Sequence, residues 1–188
     1  MLRRIAKFLK AKDGLAAIEF AFIAPVLVTF LLGSVEITNA LECRQKVTML
    51  ASSAADLVAQ TASVSASDMT NIFNAVTAIM YPFTGTTSIV ISSVMSDGNG
   101  GGTVAWSKAQ NGTPLTVGAA VTLNQPIMST CNTSSSCTPC AKNACSVIMA
   151  QISYSYVSPI GKFFVSTVPI TDSFFAHPRK STSVAYTG

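Results

Sequence analysis

Three hydrophobic rhythms follow one another along the chain. From Leu15 to Val35 apolar residues run almost unbroken for 21 positions, L-A-A-I-E-F-A-F-I-A-P-V-L-V-T-F-L-L-G-S-V, with Glu19 the single ionisable group. A helix of that length rises about 31 Å at roughly 1.5 Å per residue, enough to cross a hydrocarbon core of about 30 Å. Ala40, Cys43, Val47, Leu50, Ala54 and Leu57 then recur at alternating steps of three and four, a heptad-like stripe. The pattern predicts one long helix over residues 15–61, apolar all round in its first part and amphipathic in its second. The stripe is expected to pack against its own domain rather than form a coiled coil.

A second helix is announced by Ser65-x-x-Asp68, a capping-box spacing with Asp in place of the usual Glu or Gln. Met69, Ile72, Phe73, Val76, Ile79 and Met80 share one helical face, and Pro82 ends the run. The few Ser and Ala residues between the two helices suit an antiparallel helical hairpin.

Beyond residue 85 the period drops to two. Ser88–Ser96 is rich in Ile and Val, Asp97–Gly102 reads D-G-N-G-G-G, and Thr103–Lys108 contains Trp106, which together predict a hairpin. Asn111-Gly112 marks a turn, and Val117–Leu123 is a further strand candidate. Ile148, Ala150, Ile152, Tyr154 and Tyr156 alternate with polar residues, and Phe163–Val168 and Thr182–Tyr186 complete an expected antiparallel set. Helices first and strands afterwards predict an α+β fold, with the long helix and a second helix packed on an antiparallel β-sheet.

Charge changes this picture at one place. Of the net +4, all lies in the first fourteen residues, where Arg3, Arg4, Lys7, Lys10 and Lys12 face only Asp13; the rest carries seven basic and seven acidic side chains. No basic surface remains for nucleic acid. Charged residues make up 11% of the chain, against about 25% in soluble domains. The basic head before the apolar run, and Glu36 and Glu42 after it, orient the segment by the positive-inside rule. The expected organisation is a cytoplasmic leader over 1–14, a transmembrane helix over 15–36 and an exported domain over 37–188. A secretory signal peptide cut at Thr38-x-Ala40 is the competing reading. A lipoprotein site at Cys43 is disfavoured by Glu42 before it.

Glu19 is costly within an apolar run, about 2.5–3.5 kcal/mol at a helix centre and less near an end, and so marks function; a favourable helix-dipole contact is the plainer account. The string D-G-L-A-A-I-E-F, Asp13 to Phe20, resembles a type IV prepilin cleavage site. In that family a peptidase cuts after the glycine, here Gly14, making Leu15 the new terminus and Glu19 the fifth residue. The continuation E-F-A-x-x-x-P-x-L, from Glu19 to Leu27, and G-x-x-E, from Gly33 to Glu36, resemble the TadE-like family of tight-adherence (Flp) pilus assembly systems. A looser resemblance to longer TadE/TadG-type proteins runs through Trp106-Ser107 and Pro178-Arg179. Flp-type sites usually carry tyrosine where Phe20 stands. The resemblance implies a pilin-like fold, with a prepilin peptidase, other pilin or pseudopilin subunits, the assembly platform and the inner membrane as partners. It also implies registry roles for Glu19, Phe20 and Pro25.

Four of five cysteines cluster as Cys131, Cys137, Cys140 and Cys145 in a Ser/Thr/Asn/Pro-rich loop. In an exported segment this reads as two disulfides of undetermined pairing. Zinc is the alternative, but only one Cys-x2-Cys step is present. Cys43 is expected to be a buried apolar residue, with an intermolecular disulfide as the other option. His177 lies in A-H-P-R with no nucleophile motif beside it, and no G-x-S-x-G, H-E-x-x-H or phosphate-loop pattern occurs. No catalytic residue, metal or cofactor is expected. The function expected is a pseudopilin or minor pilin with a structural role; an uncleaved, membrane-anchored periplasmic binding module is the alternative.

Overall fold

The computed structural model describes residues 14–123, 129–131, 137–158 and 167–188. Helix α1, Leu15–Ala59, is continuous over 45 residues, about 68 Å at 1.5 Å per residue. It passes through Pro25, which lacks the N–H that would bond the Ala21 carbonyl. Hydroxyls in and just beyond the apolar stretch are bonded to the helix itself: Thr29 Oγ1 donates to Pro25 O at 2.8 Å, Ser34 to Leu31 O and Thr38 to Ser34 O. These three hydroxyl donors are thus satisfied without water.

The two halves of α1 differ in surroundings. Through Thr38 nearly every described side chain is exposed, Phe22 at 77% and Phe30 at 74%. Cys43, Val47, Leu50, Ala51, Ala54, Ala55, Val58 and Ala59 are fully buried. The stripe thus packs within its own domain, but it does not follow strict heptads. Leu57 is 38% exposed and Val58 is buried in its place. A straight helix turns 3.6 residues per turn, so a 3.5-residue repeat drifts about 20° per heptad and leaves the face.

A two-residue strand, β1 (Ser63–Val64), occupies the link to helix α2, Ala66–Thr77. This link is therefore more than the hairpin turn its composition suggested. The capping box is complete: Ser65 Oγ accepts from Asp68 N, and Asp68 Oδ2 accepts from Ser65 N. Met69, Phe73 and Val76 are buried, a 3-10 turn over Ala78–Met80 follows, and the Tyr81–Pro82 bond is cis.

Strands β2 (Thr87–Ser96), β3 (Gly102–Gln110), β4 (Ala120–Val121), β7 (Ser146–Tyr156) and β8 (Val168–Ala176) form an antiparallel sheet in the order β4-β3-β2-β7-β8. Two further strands, β5 (Ser129–Cys131) and β6 (Cys137–Pro139), pair with each other. In the β2–β3 turn Gly98 and Gly100 have positive φ, and Asp97 Oδ1 accepts from Asn99 N and Gly101 N. A register shift beside Ser93/Val94 leaves Ala105 as the extra residue of a bulge. The inward face of β7, Ile148, Ala150, Ile152, Tyr154 and Tyr156, joins Ile89, Ile91 and Trp106 under α1 and α2 in one core. On the opposite face Val94, Val147 and Met149 form a smaller cluster with Leu115, Val121, Leu123 and Phe175.

Two strand expectations are corrected, and a third falls mainly outside the described residues. Val117–Leu123 contributes only the two residues of β4, because Gly118 at φ +82 turns the chain just before. Of Phe163–Val168, residues 163–166 lie outside the described residues, and Val168 opens β8, which runs on to Ala176. Thr182–Tyr186 contributes β9 (Ala185–Tyr186), which pairs in parallel with β1 and not with the antiparallel sheet.

Candidate functional site

Gly14 sits at the N-cap of α1, exposed, with open space where a side chain would stand. Glu19, Phe20 (68% exposed) and Pro25 follow on the same bare helix, five to eleven residues on. None of these meets the rest of the fold. The residues that the motif singles out are thus arrayed on an unpartnered apolar rod, while residues 1–13 lie outside the described residues. An 18-residue window of this helix has a mean hydropathy of 2.1 and none of it is buried.

The other end of the motif meets the domain. Glu36, the last residue of G-x-x-E, accepts a hydrogen bond at Oε1 from the Tyr156 hydroxyl at 3.0 Å. Its Oε2 is buried without a partner. Burial, and then the Glu36 carboxylate, push the Tyr156 phenol up to about 12. Tyr156 also packs edge-on against Phe83, with ring centroids 6.0 Å apart. Periodicity could not find this contact, since 120 residues separate the partners; the sole hint was a carboxylate placed at the end of an apolar run.

Two grooves flank α1 here. One of about 600 Å³ is lined by Asn39, Glu42, Pro82, Phe83, Tyr156 and Val157 among others. The other, about 420 Å³, lies between Ile37, Leu41 and Arg44 of α1 and Val168, Pro169 and Ile170 of β8. Between them Cys43 is a free, buried thiol, held above its ordinary range by burial and secondarily by Glu42.

Far from this junction, Cys140 and Cys145 form a disulfide with Cα atoms 6.0 Å apart. A sulfur so bonded offers no thiolate to zinc. Their loop is fastened to the end of β2, where Ser96 Oγ donates to Ala141 O at 2.6 Å and Ser96 N donates to Cys145 O at 2.9 Å. The β5–β6 register sets Cys131 directly opposite Cys137. His177 is exposed beside an open groove with Ser52, Ser53, Asp56 and Arg179. Among the described residues no group of three or more His, Cys, Asp or Glu could hold a metal ion.

The residues of the looser resemblance have structural partners. Trp106 Nε1 donates to Val184 O at 2.7 Å, and Ser107 Oγ accepts from Ser92 Oγ and Leu115 N. Arg179 pairs with Asp56 and its N–H donates to Ala59 O.

No curated protein and no solved structure matches the chain. One apolar N-terminal helix suggests single-pass membrane anchoring. Residues 14–56 match the family model of TadE-like protein, the family to which the glycine–glutamate string and G-x-x-E point, and that match suggests a protein associated with a tight-adherence pilus.

Proposed function

We propose that this protein is a pseudopilin or minor pilin of a tight-adherence (Flp, type IV-like) pilus, structural in role and without a catalytic step. The observation that carries the reading is the bare helix. The TadE-like match begins at Gly14, the N-cap of α1, and the roughly twenty residues that follow, up to Val35, stand clear of the rest of the fold. A prepilin peptidase would cut between Gly14 and Leu15 and remove the basic head. The head would first have held the N-terminus in the cytoplasm, leaving the domain periplasmic on the inner membrane.

The cut leaves an α-ammonium at Leu15 and the Glu19 carboxylate as the charges within an otherwise apolar helix. Packed among other pilin helices, Glu19 meets the amine of a neighbouring subunit. Removing one partner of a desolvated pair costs about 3–5 kcal/mol, because the other charge is left uncompensated. Such a pair acts as a register device more than as a source of stability. Phe20 and Pro25, on the same bare helix, shape the apolar contact around it.

Mass spectrometry of the membrane-extracted protein checks this directly. The expected N-terminus is Leu15; an intact Met1 would point to an uncleaved anchor, and Leu41 to ordinary secretion. Glu19→Ala is expected to insert normally yet fail to co-assemble with pilus components, and its normal co-assembly would count against the registry role.

A further inference from the structure

We propose that the base of the folded domain is a lipid-contacting surface, seated in the headgroup layer beside the point where α1 leaves the hydrocarbon core. The proposal rests on α1 being the spanning helix. It starts from how little chain separates span and core. The apolar run ends at Val35, and Cys43, eight residues later, is already fully buried in the domain. That is about 12 Å of helix, less than a stalk long enough to hold a domain clear of a membrane.

The domain in fact reaches lower than Cys43. The Tyr156 hydroxyl bonds Glu36, the first residue past the apolar run, so the end of β7 stands at the edge of the span. The headgroup layer on each side of a bilayer is about 5–7 Å thick. Ile37 and Leu41, about 3–9 Å beyond Val35 along the same helix, fall within or just above it.

The surface at this level has the chemistry of that layer. Ile37 (64%), Leu41 (55%), Val157 (47%) and Val168 (43%) are exposed around the helix, and Tyr81 is 80% exposed beside Pro82. The two grooves bring the four aliphatic side chains to the same stretch of α1: Val157 lines one with Asn39 and Glu42, and Val168 lines the other with Ile37 and Leu41. Arg44, exposed at the rim of the second groove about 13 Å beyond Val35, stands above the headgroup layer, and its long side chain, tilted toward the helix N-terminus, can reach down to lipid phosphates. Aliphatic side chains below, with arginine at the rim, suit an interface that is apolar on one side and wet on the other. Continuity with the spanning helix therefore selects phospholipid as the occupant.

The full-length protein, reconstituted in vesicles of phospholipid brominated either near the headgroup or deep in the acyl chain, tests this. Tryptophan is placed singly at Val157, Val168, Phe30 and Leu57, and the signal of the parent protein, whose Trp106 is buried, is subtracted. Leu57 lies on the same helix about 33 Å past Val35 and serves as the distant control. The expected result is loss of fluorescence at Val157→Trp and Val168→Trp with shallow bromines, loss at Phe30→Trp with deep ones, and no loss at Leu57→Trp.

Quenching at Phe30→Trp without any at Val157→Trp and Val168→Trp would overturn the seat while leaving the span intact. No quenching at Phe30→Trp would overturn the spanning helix, and the seat with it. Quenching at the two base positions that fades as the protein-to-lipid ratio rises would assign the surface to a second copy of the chain, and would also overturn the proposal.

Discussion

Leu50 and Leu57 lie seven residues apart on α1, one heptad, yet only Leu50 is inside the core. Truncating a fully buried leucine removes its transfer free energy and leaves a cavity, together about 2–5 kcal/mol. Leu57, with more than a third of its surface in water, has less to lose. Leu50→Ala should therefore lower the unfolding free energy of the detergent-solubilised protein by about 2–5 kcal/mol, and Leu57→Ala by about 1 kcal/mol or less. Equal effects in chemical denaturation would restore the heptad reading of the stripe and point to a partner helix over Leu57. The stripe itself was legible in the sequence because apolar spacing is a local signal. The choice between Leu57 and Val58 was not, since both fit an amphipathic helix and only the width of the face beneath it decides.

Where α1 meets β7, the Glu36–Tyr156 bond ties the start of the domain to the end of its longest inward-facing strand. Tyr156 keeps its proton in the folded protein up to about 12, against an ordinary 10.0. Between those values the unfolded chain has released this proton and the folded chain has not. The stability from this group is therefore complete below about pH 10 and is lost as pH rises toward 12, a total on the order of 2–3 kcal/mol. Tyr156→Phe should be somewhat less stable at neutral pH, through the lost hydrogen bond, and should show a shallower fall in stability from pH 10 to 12. An unchanged alkaline slope in urea titrations would mean that this phenol does not titrate as its burial implies. The elements around this joint differ in how openly the sequence declares them. The capping box, the alternation of β7 and the glycine-rich turn of the β2–β3 hairpin are written within a few residues each. Strand β8 is not: V-P-I-T-D-S-F-F-A carries Pro169 and Asp172, and its side chains are exposed or half-buried throughout. Proline and charge belong to edge strands, so the period-two signal is weakest where the sheet ends. The candidate site divides in the same way. Gly14, Glu19 and Pro25 were read from a contiguous string, whereas the Glu36–Tyr156 contact depends on a fold that brings distant segments together.

The final segment of the chain closes the domain, and every contact by which it does so is long-range. Arg179 pairs with Asp56 and bonds the last turn of α1; Ser146 Oγ donates to Thr182 O. Val184 is buried and receives the Trp106 indole N–H. β9 then pairs with β1, Tyr186 lies against Trp106 with ring centroids 5.9 Å apart, and Lys108 sits 4.1 Å over the Tyr186 ring. These contacts are unequal in weight. The Arg179–Asp56 pair is open to solvent, with side chains 63% and 37% exposed, so Arg179→Ala should cost no more than about 1 kcal/mol. Ending the chain at His177 is a different matter, because it uncovers Trp106, leaves its indole N–H without the Val184 carbonyl and opens the core beside α1. Exchanging that hydrogen bond for one to water costs about 0.5–1.5 kcal/mol, and the lost burial of Val184 adds about 1.5 kcal/mol or more. Against a total stability of about 5–15 kcal/mol, that loss should lower the unfolding midpoint clearly and shift the Trp106 emission to the red. A truncated chain with unshifted emission and an unchanged midpoint would show that helices and sheet hold together without the strap, and that β1 and β9 decorate a core already complete.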